Sequence, residues 1–276
     1  MNSQLIEADE RLATVFSHYY CVQQGPQDAP LQQQLVPNYE MLLVFNFGPA
    51  ISGSLGDAPY VISRTAVLGP LQKTLTYELP AGADLIVVNF TLNGFYRLLR
   101  VPMQELKTQD IHNPDVLLNK PCFEDIWSQL AQMTTLADRL QLLNEYALTY
   151  AAPADSTTNS MIESIPYVNN TVVEPVKLLA TQQQVSARMI QLTLQKQLGY
   201  SARELVRFLR FKKVLTFLFQ QPTPSVDWLS LVSEYGYHDQ SHLIKDFQQY
   251  MGISPRQFIN QLAQGGMCIS KPGKFY

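Results

Sequence analysis

The sequence predicts an α+β chain, with a strand-rich N-terminal half of small-barrel or sandwich type followed by an all-helical C-terminal domain. Three observations carry that prediction. The first hundred residues alternate short runs rich in Val, Ile, Tyr, Phe and Thr with turn-forming Gly, Pro and Asn clusters. From Cys122 onward, apolar residues recur instead at three- and four-residue steps. Beyond about residue 170, one helical layout occurs twice, on either side of a long uninterrupted helical stretch. At 276 residues the chain has room for two domains, each large enough to bury its own core.

Taken in order, strands are expected over residues 15–22, 31–36, 40–47, 60–68, 73–79 and 84–92. They are separated by Gly25-Pro26, Pro37-Asn38, Gly48-Pro49, Gly69-Pro70 and Pro80-Ala81-Gly82, where the backbone must turn. Short strands at regular spacing favour a barrel or a sandwich. Residues 93–100 change to helical character, and Pro102 opens a short helical turn over 102–107. Phe123, Ile126, Trp127, Leu130 and Met133 then mark one amphipathic helix. Leu136, Leu140, Leu143 and Tyr146 mark a second, with Thr134-Thr135 as its start signal. Their apolar faces suit either a homodimer contact or packing onto the chain's own strands. The small polar stretch 151–160 reads as a linker. The expected division is therefore a sensor domain over 1–115, a helical connector and linker over 116–160, and a helical domain over 165–265.

Charge and motifs narrow the function classes. Residues 1–171 hold 8 Lys and Arg against 17 Asp and Glu, a net of −9; residues 172–276 hold 12 against 6, a net of +6. An acidic half joined to a basic one fits a sensor attached to a polyanion-binding module. The first residues carry Glu7, Asp9 and Glu10 and no apolar run, unlike a signal peptide. No apolar stretch approaches the roughly 20 residues that span a bilayer. Three scattered cysteines, Cys21, Cys122 and Cys268, read as reduced thiols in a cytoplasmic protein. Only His18 and His112 precede residue 238, with no His-x-His pair, so no metal site and no cofactor is expected. His18 and Cys21 fall on opposite faces of a strand and cannot act as base and nucleophile. There is no Gly-rich phosphate loop or Gly-x-Ser-x-Gly elbow, so catalysis is not expected. A barrel interior could instead hold a small-molecule effector among His18, Tyr20, Phe45 and Phe47.

The duplicated units span about 172–199 and 226–252. In each, a short helix leads through a turn into a longer helix that begins at Ser186 or Asp239 and stops at Gly199 or Gly252. Ser and Asp accept hydrogen bonds from the first free N–H groups, and Gly supplies the left-handed residue that ends a helix. In the first long helix, Ile190, Leu194 and Leu198 share one side while Arg188, Gln191 and Gln195 share another. In the second, Leu243, Phe247 and Tyr250 oppose Ser241, Lys245 and Gln248, with His242 beside them. Amide and basic groups near a helix N-terminus match base edges in a major groove, although a solvated outer face has the same look. Between the units, Ser201-x-x-Glu204 has the form of a capping box, and Pro222 and Pro224 end the helix that follows. Arg203, Arg207 and Arg210 form a basic stripe along it, continued by Lys212 and Lys213, and phosphates are the expected partner.

Residues 172–262 resemble the AraC/XylS family of bacterial transcription regulators. The carriers in the second unit are Leu231–Glu234, Gly236-Tyr237-His238-Asp239-Gln240-Ser241-His242-Leu243-Ile244-Lys245-Asp246-Phe247 and Gly252-Ile253-Ser254-Pro255-Arg256-Gln257-Phe258. The first unit matches through Val185-Ser186-Ala187-Arg188, Gly199-Tyr200-Ser201 and Leu209-Arg210-Phe211. The resemblance implies two helix-turn-helix units joined by a long helix, and double-stranded promoter DNA as partner. By position, it implies base contacts from Arg188, Gln191 and Leu192 in the first unit and from Gln240, Ser241, His242 and Lys245 in the second. Phosphate contacts fall to Lys196, Arg203, Arg207, Arg210 and Arg256. The family often has Arg at the position of Leu192, which here can only touch thymine methyls. The strand-rich part is similar to cupin-type N-terminal domains of the same family, through His18-Tyr19-Tyr20-Cys21, Val44–Pro49, Leu68-Gly69-Pro70 and Phe95–Leu99. The alternatives are an interaction or sensor protein with a degenerate DNA-binding domain and, behind it, a cupin-type enzyme.

Overall fold

The computed structural model describes residues 2–106, 111–153, 155–164, 175–220, 226–264 and 267–268. The N-terminal domain is built from β1 (Asn2–Glu7), β2 (Phe16–Gln23), β3 (Leu31–Leu35), β4 (Leu42–Asn46), β5 (Ile51–Leu55), β6 (Ala58–Ile62), β7 (Thr65–Leu68), β8 (Leu75–Leu79) and β9 (Asp84–Phe90). Two short strands, β10 (Ile111–His112) and β11 (Met267–Cys268), complete it. One sheet runs β1-β2-β9-β4-β7-β10 and the other β11-β3-β8-β5-β6. All neighbours are antiparallel except β11, which pairs with β3 in parallel. These are two facing sheets, the sandwich of the two arrangements that strand spacing allowed, and not the closed cupin-like barrel.

The middle of the six-stranded sheet is buried on both faces, so its strand β4 is buried along its whole length and apolar as far as Phe45. Leu42 and Val44 point into the space between the sheets, where they join Ile51, Leu68, Leu75 and Leu85. Leu43 and Phe45 point the other way, onto Phe95, Phe123, Ile126, Leu140 and Leu143. Those residues belong to α1 (Gly94–Leu99), α3 (Cys122–Gln132) and α4 (Leu136–Tyr150), while α2 (Pro114–Leu118) is a single turn of helix between α1 and α3. The apolar faces of α3 and α4 are thus covered by the chain's own sheet, the second of the two arrangements their periodicity allowed. Buried Arg139 ties α4 to the sheet through Asp84 at 2.9 Å and to α3 through the Leu130 carbonyl at 3.1 Å.

Three expectations need correction. β1 and β5 were not foreseen: β1 is polar at an edge, and β5 is interrupted by Ser52, Gly53 and Ser54. The run 60–68 is two strands in different sheets, because the chain bends at Ser63-Arg64 and crosses over. The stretch 151–160 is not simply a linker. Asp155 accepts a hydrogen bond from the Thr158 N–H at 2.8 Å and α5 (Ser156–Ser164) follows. Its apolar anchors, Met161 and Ile162, come just after the polar segment and enter the helical core.

The helical domain comprises α6 (Pro175–Gln183), α7 (Ala187–Leu198), α8 (Ala202–Gln220), α9 (Trp228–Glu234), α10 (Gln240–Met251) and α11 (Pro255–Gln264). The first residues of the expected first unit, 172–174, as well as Pro222, Pro224 and Lys107, lie outside the described residues. One core runs through all six helices and also takes in Val36, Tyr39 and Leu92 from the strand domain. Tyr39 stacks between Tyr200 and Phe208, with ring centroids 3.8 Å away on either side. Beside it, Lys212 donates to Asn38 Oδ1 at 2.9 Å and to Glu40 Oε2 at 3.4 Å, and all three side chains are buried. Lys212 is therefore a domain-contact residue and not part of an outward basic stripe. No helix among the described residues is long and apolar enough to cross a membrane.

Candidate nucleic-acid interface

Each unit starts and stops on the residues that physical chemistry requires. Ser186 Oγ accepts from the Met189 N–H at 3.2 Å and Asp239 Oδ1 from the His242 N–H at 2.9 Å, so each long helix is capped at its third residue. Gly199 and Gly252 sit at φ 79° and 70°, and their N–H groups close the final turns. Ser201 and Glu204 cap each other reciprocally at 2.8 and 3.3 Å, as the Ser-x-x-Glu spacing predicts. α8 then runs for 19 residues, about 28 Å at ~1.5 Å per residue. That length is near the ~34 Å turn of duplex DNA.

The inner faces of α7 and α10 are fixed by Ile190, Leu194 and Leu198, and by Leu243, Phe247 and Tyr250, all buried. The outer faces are open. Arg188, Gln191 and Leu192 are exposed on α7, as are Gln240, Ser241, His242 and Lys245 on α10. The structure adds Met189 to the first face and Ile244 to the second, with relative exposures of 52% and 40%; Leu192 is at 58%. α7 therefore shows water a mixed apolar and polar surface, and α10 a mainly polar one.

The basic residues divide into two groups. Arg203 and Arg256 are exposed at the starts of α8 and α11. Arg207 instead pairs with Asp246 at 2.6 Å, and Arg210 lies 4.3 Å over the Tyr237 ring while donating to the Gly236 carbonyl at 3.1 Å. Lys196 is turned toward the strand domain, 5.6 Å above the Tyr96 ring. Sequence spacing places Arg207 and Arg210 on one helix side and says nothing of partners 26 to 39 positions away. It also missed the hub of the second unit, buried Asp246, which accepts from Arg207 Nε at 2.7 Å and Tyr237 OH at 2.9 Å. A buried Asp on the inner side of an amphipathic helix is the signal that could have found it, because such a charge requires partners.

One further group was not foreseen. His238, Asp239 and His242 bring ligating atoms within 4.8 Å of one another at the exposed start of α10. Asp239 is at the same time the helix cap, so the cluster is part of the unit's own scaffold.

Between the sheets lies a cavity of about 210 Å³. His18 and Tyr20 line it, one on each side of Tyr19, which points to the helices. Phe45 and Phe47 do not. Phe45 packs on Phe123, and Phe47 stacks with Trp127 beneath Arg139, on the opposite face of the sheet. Alternation pairs Phe45 with Phe47, but only the tertiary fold decides which face is inside. Cys21 shares that far face, and burial pushes its thiol up to about 12, away from nucleophilic use.

Residues 179–261 match the family described as a helix-turn-helix domain, and residues 4–112 match a domain of unknown function (DUF6597). No curated protein matches the sequence. Among solved structures, ToxT from Vibrio cholerae (a 1.65 Å structure) is similar at 9% identity with a TM-score of 0.43, covering 88% of this chain and 96% of that one. ToxT from strain O395 gives 10% identity and 0.44, over 90% and 97%. The AraC-like transcriptional activator CuxR gives 9% and 0.28, over 72% and 80%. These structures are too distant to carry any residue across. The matched segment runs from within α6 to within α11, so it holds both capped helices and the helix between them, and it is similar to that helix-turn-helix family.

Proposed function

We propose that this chain is a sequence-specific DNA-binding transcription regulator that reads double-stranded promoter DNA with α7 and α10. The observation that carries the proposal is the pairing of two capped helices, each with its inner face locked in one core and its outer face open, at the ends of a helix of about one DNA turn. In this reading Arg188, Gln191, Gln240, Ser241, His242 and Lys245 face base edges, and Leu192 with Met189 meets thymine methyls. Arg203 and Arg256 approach phosphates. Lys196, Arg207 and Arg210 first hold the domain together. The region 1–115 acts as sensor, 116–160 as connector and 165–265 as DNA-binding domain. The facing sheets around a cavity support a cupin-like sensor that takes a small-molecule effector. A homodimer would have to use surfaces other than the apolar faces of α3 and α4.

Affinity for DNA measured across salt tests the proposal. Each phosphate neutralised should lower log affinity by about 0.9 per log unit of salt, so a regulator with several contacts shows a steep slope. Lys245→Ala should cost roughly 1–3 kcal/mol on the selected operator and far less on random DNA; equal loss on both would assign Lys245 to phosphate. The second reading, an interaction protein that has lost base recognition, is favoured only by the apolar outer face of α7. A flat salt response with no operator recovered from random DNA would select it.

A further inference from the structure

Eleven of the sixteen side chains lining the inter-sheet cavity are aliphatic, and the other five are His18, Tyr20, Tyr60, Tyr77 and Asn89. None of them is Lys, Arg, Asp or Glu. The polar groups are not scattered evenly. His18 and Asn89 are direct cross-strand partners on β2 and β9, so they form one polar spot on the wall of the larger sheet. Tyr60 lies across β5 at Gly53, where a Cβ would come within 2.6 Å of its ring, and its hydroxyl donates to the Thr76 carbonyl at 3.1 Å. His18 Nδ1 is 2.9 Å from Ser17 Oγ, which holds the ring in place.

We propose that this cavity binds a neutral, predominantly apolar molecule carrying a single hydrogen-bonding group, which His18 and Asn89 recognise. The inference deepens the effector reading above by fixing the chemical class. An anion is disfavoured because a buried charge needs a counter-charge, and the lining holds no Lys or Arg and offers only His18, whose Nδ1 is engaged by Ser17 Oγ at 2.9 Å. A sugar is disfavoured because most of its hydroxyls would face aliphatic walls without partners. Size follows from volume. An apolar cavity of about 150 Å³ holds benzene, so about 210 Å³ suits a medium-chain alcohol or ketone or a small bicyclic aromatic alcohol, roughly eight to eleven non-hydrogen atoms.

The test uses the full chain without DNA, with 2-naphthol, 1-octanol and 2-octanone as neutral probes and octanoate and glucose as controls. Calorimetry and thermal shift should show binding of at least one neutral probe, with a raised melting temperature, and no response to either control at the same concentration. Binding of octanoate or glucose in preference to all three neutral probes would overturn the proposal, as would silence from every neutral probe. Asn89→Leu should weaken 2-naphthol about tenfold and leave naphthalene unchanged; equal weakening of both would remove the recognition role. Val44→Phe, which fills the cavity from β4, should abolish binding, and Leu75→Phe repeats the test from the other sheet should Val44→Phe not fold. DNA affinity is measured separately. Ligand binding without DNA binding sinks the regulator reading alone, and DNA binding with a cavity selective for octanoate or glucose sinks this inference alone.

Discussion

Lys212→Ala is expected to destabilise the chain by about 3–5 kcal/mol, because it leaves Glu40 and Asn38 sealed under α8 without their cation. Lys212 and Glu40 have side-chain exposures of 4% and 0%, so solvent cannot take over the lost interaction. Burial holds the Lys212 pKa below its ordinary value, and Glu40 opposes that shift. The same arithmetic makes the pair a poor source of net stability. Lys212→Met combined with Glu40→Leu should recover most of the loss, since two apolar groups of similar volume need no partners there. Urea denaturation of the single and double variants checks both statements. A single variant within 0.5 kcal/mol of the parent would mean that water reaches Glu40 in solution and that the domains are not docked as described. Tyr39, clasped by Tyr200 and Phe208, would then also show free ring dynamics.

Much of this architecture was legible because local physics repeats locally. Caps at Ser186 and Asp239, stops at Gly199 and Gly252 and the Ser201–Glu204 box are each decided within four residues. The reading helices therefore fell within one residue of their observed ends. What failed was decided at long range. Phe45 was assigned to the ligand-facing side because alternation fixes which residues share a face but not which face is inward. Lys212 looked like part of a basic stripe because Asn38 and Glu40, 174 and 172 positions away, leave no trace in helical periodicity. The segment 151–160 read as a linker because its composition is polar, whereas its anchors arrive one turn later at Met161 and Ile162. Barrel and sandwich stayed open because strand spacing is the same in both.

The second unit should be the more sensitive of the two to loss of a single side chain, and Asp246→Ala is the change that shows it. Asp246 is the one buried carboxylate of that unit among the described residues, and it joins three elements: α8 through Arg207, the turn before α10 through Tyr237, and α10 itself. Its removal leaves the Tyr237 hydroxyl buried without an acceptor, at about 1–3 kcal/mol, and releases Arg207. Arg207 is 37% exposed and can turn to water, so its share is smaller. A total near 2–4 kcal/mol is expected. Tyr237→Phe alone should cost only about 1 kcal/mol, and Asp246→Asn less than the alanine change because its amide oxygen still accepts. The double variant Asp246→Ala with Tyr237→Phe should be less than additive, since the two side chains share a bond. Because Asp246 orients the helix that carries Gln240 and Lys245, operator affinity should fall in the alanine variant even at temperatures where the chain stays folded. Additive losses, or unchanged operator affinity in the folded variant, would show that α10 is held by Leu243, Phe247 and Tyr250 alone and that the polar hub does not position the reading face.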